Sequence, residues 1–271
     1  MLGIHVGLTT SSFLSTARAV PWTPAQLDGI AAWFDASDPA TMTLDADRRV
    51  QRWTDRVGGL VWTQATAAAR PVFNPSARNW VGGLVLTGGQ YLTGASTGLP
   101  MGQAPHTLLV AGLSQGADTQ YGAIVGWGGQ AKGQSRTLQV RAKNTEIGIS
   151  FYQIDSPSSA SWSGTERTVI HQMSGAAGSL QGRFFIDGEL SGTHSIAGVE
   201  TIEGGSSFGA NLTSLTTTVS GFLAQQVVIC RAAISDADRQ RLEGWASWTS
   251  GRAGAELSAT HPYKTARPML G

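Results

Sequence analysis

Charge is scarce in this chain: Asp, Glu, Lys and Arg make up 14% of it, with 19 basic side chains against 18 acidic ones. Nucleic-acid binding rests on a concentrated basic surface, so no nucleic-acid partner is expected. A single cysteine, Cys230, excludes an internal disulfide framework, and its place in an apolar run reads as a buried structural thiol. No run approaches the ~20 apolar residues that a membrane-crossing helix needs. Ala17-Arg18-Ala19 imitates a signal-peptidase site, but no basic segment precedes it and Gly, Thr and Ser interrupt its apolar stretch. The expectation is a chain made in the cytoplasm with no signal peptide and no membrane insertion.

Motifs that carry chemistry are equally sparse. The histidines, His5, His106, His171, His194 and His261, show no metal-ligand spacing such as HExxH. Gly126-Trp127-Gly128-Gly129 is followed by neither Lys-Ser/Thr nor a helix, so it is no phosphate loop. Glycoside hydrolysis needs two carboxyl groups held about 5–10 Å apart. The middle of the chain offers only Glu146 and Asp155, isolated acids of hairpin character. Asp35, Asp38, Asp45 and Asp47 are hard oxygen ligands of the kind calcium takes, yet their spacing suits turns and caps better than a calcium loop. No catalytic residue, metal ligand or cofactor is assigned, with calcium the one cofactor left open, and the chain is expected not to be an enzyme.

What is abundant is glycine, 35 residues spread throughout, among short apolar runs. Residues 107–111, 123–127, 168–173, 183–186 and 223–230 read as strands. Hairpins are expected around Lys143-Asn144 and Asp187-Gly188. Strands at this spacing without intervening helices point to an antiparallel sandwich. Thr23-Pro24-Ala25-Gln26 is a helix start, giving a short N-terminal helix. Ser235 caps a C-terminal helix that runs to about Trp248, with Leu242, Trp245, Ala246 and Trp248 on its apolar stripe and Gln240, Glu243 and Ser247 opposite. The compact domain is taken as residues 21–271. Residues 1–20 have no core pattern and read as a docking arm.

The C-terminal run ISDADRQRLEGWASW at 234–248, followed by His261-Pro262-Tyr263-Lys264 and Pro268, resembles the closing signature of LamG-like, concanavalin A-like jelly-roll domains. Such domains occur in phage virion proteins and bacterial surface proteins. Further matches run in order: Trp33-Phe34-Asp35, Trp53 with Asp55, Arg70-Pro71, Tyr91-Leu92, Phe185 with Gly188, and Gly221-Phe222. The resemblance spans residues 22–268. It implies an all-β antiparallel jelly-roll sandwich (concanavalin A-like), with a short N-terminal helix and one C-terminal helix. Gln226 stands where many relatives carry Glu, which removes an acid from that strand.

The fold hosts lectins, glucanases and adhesion modules alike, so function must come from a site. Sugars are held by aromatic faces and by amide, acid and Arg groups. Trp127, Trp162, Tyr152, Arg136, Asn144 and Asp155, on the central strands and loops, are the candidate ligand residues. The expected protein is a non-enzymatic structural component of a phage-like virion (tail, fibre, spike or head decoration) that contacts host surface polysaccharide. Its partners would be other virion or assembly proteins, reached through residues 1–20, and it would be a homo-oligomer or part of a larger complex. A polysaccharide-degrading hydrolase or lyase is the alternative, and a purely structural assembly module the third reading.

Overall fold

The computed structural model describes residues 19–115, 121–141, 146–157, 160–162 and 164–270. Strands are numbered in chain order. One sheet runs β15 (Glu189–Ile196), β14 (Leu180–Ile186), β13 (Glu166–Ser174), β8 (His106–Ser114), β19 (Phe222–Cys230), β6 (Val81–Leu86) and β5 (Val72–Arg78). In it β1 (Ile30–Asp35) pairs with the later half of β19. The second sheet runs β12 (Asp155–Pro157), β11 (Glu146–Ser150), β10 (Ser135–Arg141), β9 (Tyr121–Gly128), β16 (Gly205–Phe208), β7 (Leu92–Ala95), β4 (Val61–Thr63), β3 (Val50–Thr54) and β2 (Met42–Leu44). A hairpin of β17 (Ala210–Asn211) and β18 (Ser214–Thr218) packs against β9. Among the described residues there is one α-helix, α1 (Asp236–Thr249). The architecture is an all-β antiparallel sandwich.

Two strands show why the apolar runs are continuous and not alternating. Every residue of β8 and β19 is buried, because both faces of this sheet are covered. Successive side chains point to opposite faces, so Leu108, Val110, Val227 and Ile229 enter the core between the sheets. Leu109, Ala111, Val228 and Cys230 instead pack beneath α1, with Leu242, Trp245 and Ala246. Trp245 meets Trp33 edge-on at 5.4 Å. Its burial contributes on the order of 2–3 kcal/mol. Cys230 lies inside this second cluster, where burial, helped by the Asp238 carboxylate, pushes its thiol up to about 12.

The helix starts where its sequence says it should: the Ser235 hydroxyl accepts from the Asp238 N–H at 3.1 Å, and Gly251 leaves it at φ +74°. Its supposed outer face is not outside. Glu243 and Ser247 are buried, since the chain beyond the helix folds back over them. Arg239 Nη1 donates to both Glu243 oxygens at 2.7 and 2.8 Å. The Tyr263 N–H occupies His261 Nδ1 at 3.2 Å, leaving Nε2–H to donate to Glu243 at 3.2 Å. Tyr263 lies where a Cβ of Gly244 would be, so only glycine admits the tail there.

At the other end, the expected N-terminal helix is a single 3-10 turn, Pro24–Gln26, held by Thr23 N–H donating to Gln26 Oε1 at 2.7 Å. Gly29, at φ +72°, breaks the run, so residues from Ile30 enter the sheet as β1. Residues 1–18, and with them nearly all of the expected docking arm, lie outside the described residues. The Asp187-Gly188 hairpin joins β14 to β15 with both residues at positive φ, as the two-residue primed turn requires.

Candidate saccharide site

Of the six candidate ligand residues, three point into the sandwich. Trp127 is fully buried and donates its indole N–H to the Pro100 carbonyl at 2.8 Å. Trp162 is also fully buried, donating to the Gly112 carbonyl at 3.2 Å and meeting Phe222 edge-on. Arg136 points inward from β10, with Nε donating to Thr201 Oγ1 at 2.9 Å and Nη2 to the Gly102 carbonyl at 3.0 Å. These three are core side chains with no face open to a ligand. Asn144 lies outside the described residues.

Tyr152 and Asp155 do come together. They line a depression of about 190 Å³ with Tyr121, Gln139, Ser150, Gln153 and Asn211. On β10 the neighbours of Gln139, Leu138 and Val140, are core residues, so Gln139 faces the opposite way, out of the sandwich. The register of β10 on β9 sets Arg141 opposite Tyr121. The register of β11 on β12 sets Ser150 opposite Asp155. Asn211 reaches the site from the β17–β18 hairpin, and its side-chain oxygen is held by Thr213 N and Oγ1 at 3.1 and 3.0 Å.

Arg141 organises this surface. Its guanidinium lies 5.3 Å from the Tyr121 ring centre and donates through Nη2 to Asp155 Oδ2 at 3.1 Å. It can lie across β11 because a Cβ at Gly148 would stand 2.6 Å from Arg141 Cδ. Tyr152 and Gln153 both hold left-handed backbone, at φ 50° and 62°, a conformation uncommon for residues of this bulk. The Tyr152 N–H donates to Ser150 Oγ at 3.2 Å and pins the turn. Gln139 is 2% exposed, and its side-chain oxygen has no hydrogen-bond partner among the described residues. Buried polar atoms without partners are few in folded proteins. Here one sits in the wall of an open depression, beside a phenol ring, a carboxylate and an amide.

The volume is below the roughly 300–1,000 Å³ of pockets for drug-sized ligands, which limits the occupant to about one ring. Tyr121, Gln139 and Asn211 escaped the sequence reading. The alternation of Gln139 with Leu138 and Val140 was the available signal for an outward face. Strand register and the docking of the β17–β18 hairpin have no local signature.

Among the described residues no group of three or more His, Cys, Asp or Glu side chains is gathered as metal ligands would be. Asp35 is engaged by Ser37 and by Gln226, whose Nε2 donates to it at 2.8 Å. Asp45 accepts from the Arg49 and Asp47 N–H groups and from Arg70, which together hold its carboxyl below the usual range against the opposing effect of burial.

No protein-family model matches the chain, and no curated protein matches it in sequence. Solved structures do share its fold. It is similar to Trypanosoma rangeli sialidase in complex with sialic acid, at 14% identity and TM-score 0.53, over 86% of this chain and 36% of that one. It is similar to the botulinum neurotoxin serotype G binding domain, at 9% identity and TM-score 0.54, over 79% of this chain and 50% of that one. The binding domain of paraclostridial mosquitocidal protein 1 is similar at 10% identity and TM-score 0.53, over 80% and 52%. The chain thus spans about a third of the sialidase and half of each toxin binding domain. At these identities the likeness is one of all-β fold. It corrects the expectation of a non-enzyme: structures sharing the fold include an enzyme, the sialidase, so a missing carboxylate series on the central strands does not exclude catalysis.

Proposed function

We propose that this chain is a carbohydrate-binding β-sandwich module of the LamG-like, concanavalin A-like kind, and that it holds one sugar ring in the depression between Tyr121 and Tyr152. The observation that carries the reading is the outward-facing set itself. Phenol rings offer apolar faces to ring C–H groups, while Asp155 and Asn211 are placed for hydroxyls. The solved structures of like fold agree in kind, one holding sialic acid and two being binding domains of toxins. The finer setting is a phage-type virion or comparable extracellular assembly, with residues 1–20 attaching the module to its neighbours and a cell-surface polysaccharide as the ligand. Its support is the ordered series of sequence motifs from Trp33 to Pro268. The test is retention on immobilised surface polysaccharides for the wild type and for Tyr152→Ala and Asp155→Ala. Retention by the wild type that falls at least tenfold in both variants supports the reading. Undiminished retention in both removes this site, and no retention by the wild type leaves a purely structural module.

A further inference from the structure

A larger cleft, about 450 Å³, lies where the β5–β6 turn, the segment entering β13 and the turn beyond α1 meet. Arg78 and Asn79 form one wall, Thr165 and Glu166 the second, Arg252 and Glu256 the third. Gly251 closes the gap between helix and turn, since its Cβ position lies 2.8 Å from Asn79 Cβ. None of these residues lines the Tyr121–Tyr152 depression.

The charges inside are paired but not consumed. Arg78 Nε stands 3.3 Å from Glu166 Oε2, and Arg252 Nη1 stands 3.0 Å from Glu256 Oε1 without hydrogen-bond alignment. Arg252, only 6% exposed, spends Nη2 on Thr168 Oγ1 at 2.8 Å. Its Nε and Nη1, together with Glu166 Oε1 and Glu256 Oε1, are buried and make no hydrogen bond among the described residues. Arg252 Nε and Glu166 Oε1 therefore remain without a partner among the described residues, in a cleft whose charged lining sums to zero. A net ion gains no overall attraction there. A polyol does, because adjacent hydroxyls donate to a carboxylate oxygen and accept from a guanidinium.

The turn that forms the first wall carries next to Asn79, outside the lining itself, an aromatic side chain that the fold does not use. Trp80 is 92% exposed, and Asn79 and Trp80 hold φ 49° and 62°. A two-residue turn of this hand favours Asn first and Gly second, so Asn79 suits its place and Trp80 does not. Neither burial nor backbone preference accounts for an indole at the second position.

We propose that this cleft is a second saccharide-binding site, taking an uncharged pyranose whose C–H face rests on Trp80 and whose hydroxyls meet Glu166, Arg252 and Glu256. It shares the chemistry of the proposed function but none of its residues, so the two stand or fall separately. All other tryptophans are buried or half-buried, so acrylamide quenching of the intrinsic fluorescence reports chiefly on Trp80. Titrated with neutral oligosaccharides released from bacterial surface polysaccharides, the full chain should show at least a twofold fall in the quenchable fraction, also in Tyr152→Ala. Trp80→Ala should lose that quenchable fraction, and Glu166→Gln should weaken the protection at least fivefold with its melting temperature unchanged. Absence of protection by every neutral oligosaccharide overturns the proposal. So does protection by acidic oligosaccharides alone, or new reducing ends that vanish in Glu166→Gln, which would make the cleft a hydrolytic one.

Discussion

The two ends of the sandwich interior are built on opposite principles. Around Phe34 the core is aromatic: its ring stacks on Trp62 at 3.8 Å and 4°, Trp53 tilts against both, and Phe208 closes the group. The Trp62 N–H has one nearby acceptor, Ser206 Oγ at 2.9 Å. Around Arg136 the interior is a polar row. Arg136 Nη1 donates to His106 Nδ1 at 2.7 Å, His106 Nε2 meets His171 Nδ1 at 2.9 Å, and His171 Nε2 faces His194 Nε2 at 3.4 Å. A guanidinium only donates, so His106 Nδ1 must accept and its Nε2 must carry the proton. The same choice passes to His171. The aromatic end is held by ring packing and one indole hydrogen bond, whereas the polar end admits one proton arrangement.

The largest effect expected from this contrast is at the aromatic end. Trp62→Ala removes a fully buried side chain from a group of four rings and should cost about 3–5 kcal/mol of unfolding free energy, read from urea titration. A loss below about 1 kcal/mol would show that these rings are loosely packed, and would dissolve the contrast from that side.

Next comes acidification, which should act on the polar end. Burial lowers His106 and His171 well below the usual histidine value, and Arg136 adds to the shift in both. The groups facing the row are Arg136, His194 and, across from Arg136, Glu200. The folded chain therefore resists protons that the unfolded chain takes up from about pH 6.5 downward. Stability from this row is complete above that pH and falls as acid is added, by up to about 1.4 kcal/mol per pH unit for each of the two buried histidines. Urea midpoints from pH 7.5 to 5.5, above the carboxylate range, measure it. A flat profile would mean that the row opens to water.

These two regions also mark what sequence could and could not foretell. At the aromatic end β3 was legible, residues 50–53 reading as a short strand before a polar turn, whereas β1 was not, because residues 30–34 read as the continuation of the short N-terminal helix. The helix was legible from Ser235, Leu242 and Trp245, but not the burial of Glu243, which depends on a tail that returns eighteen residues later at His261. Trp127 and Trp162 looked available for ligand because they lie near loop-like sequence; β9 in fact runs on to Gly128, and that places Trp127 inside. An arginine is seldom buried, and nothing local to Arg136 announces partners at Gly102, His106 and Thr201. Tyr152 and Asp155, two of the six residues named from sequence, share the depression because both lie near one turn. Tyr121, Gln139 and Asn211 were missed because register and hairpin docking bring them there.

The smallest expected effect separates the polar row from its charge. Burial pulls the Arg136 guanidinium down to about 9, with Glu200 acting the other way, so its desolvation weighs against the bonds it makes. Arg136→Met removes that cost but strands the Thr201 hydroxyl and His106 Nδ1, while the Gly102 carbonyl keeps the Thr201 N–H at 3.1 Å. Each buried group left without a partner costs roughly 1–3 kcal/mol, and a hydroxyl can turn to a new one. The opposing contributions should leave a net loss of about 1 kcal/mol at pH 7.5. The pH profile is the sharper reading. Without the guanidinium, one cause that lowers His106 and His171 is gone, so the acid-side loss should become shallower than in the wild type. A profile as steep as before would show that burial alone governs the row and that Arg136 merely fills space, like any side chain at the aromatic end.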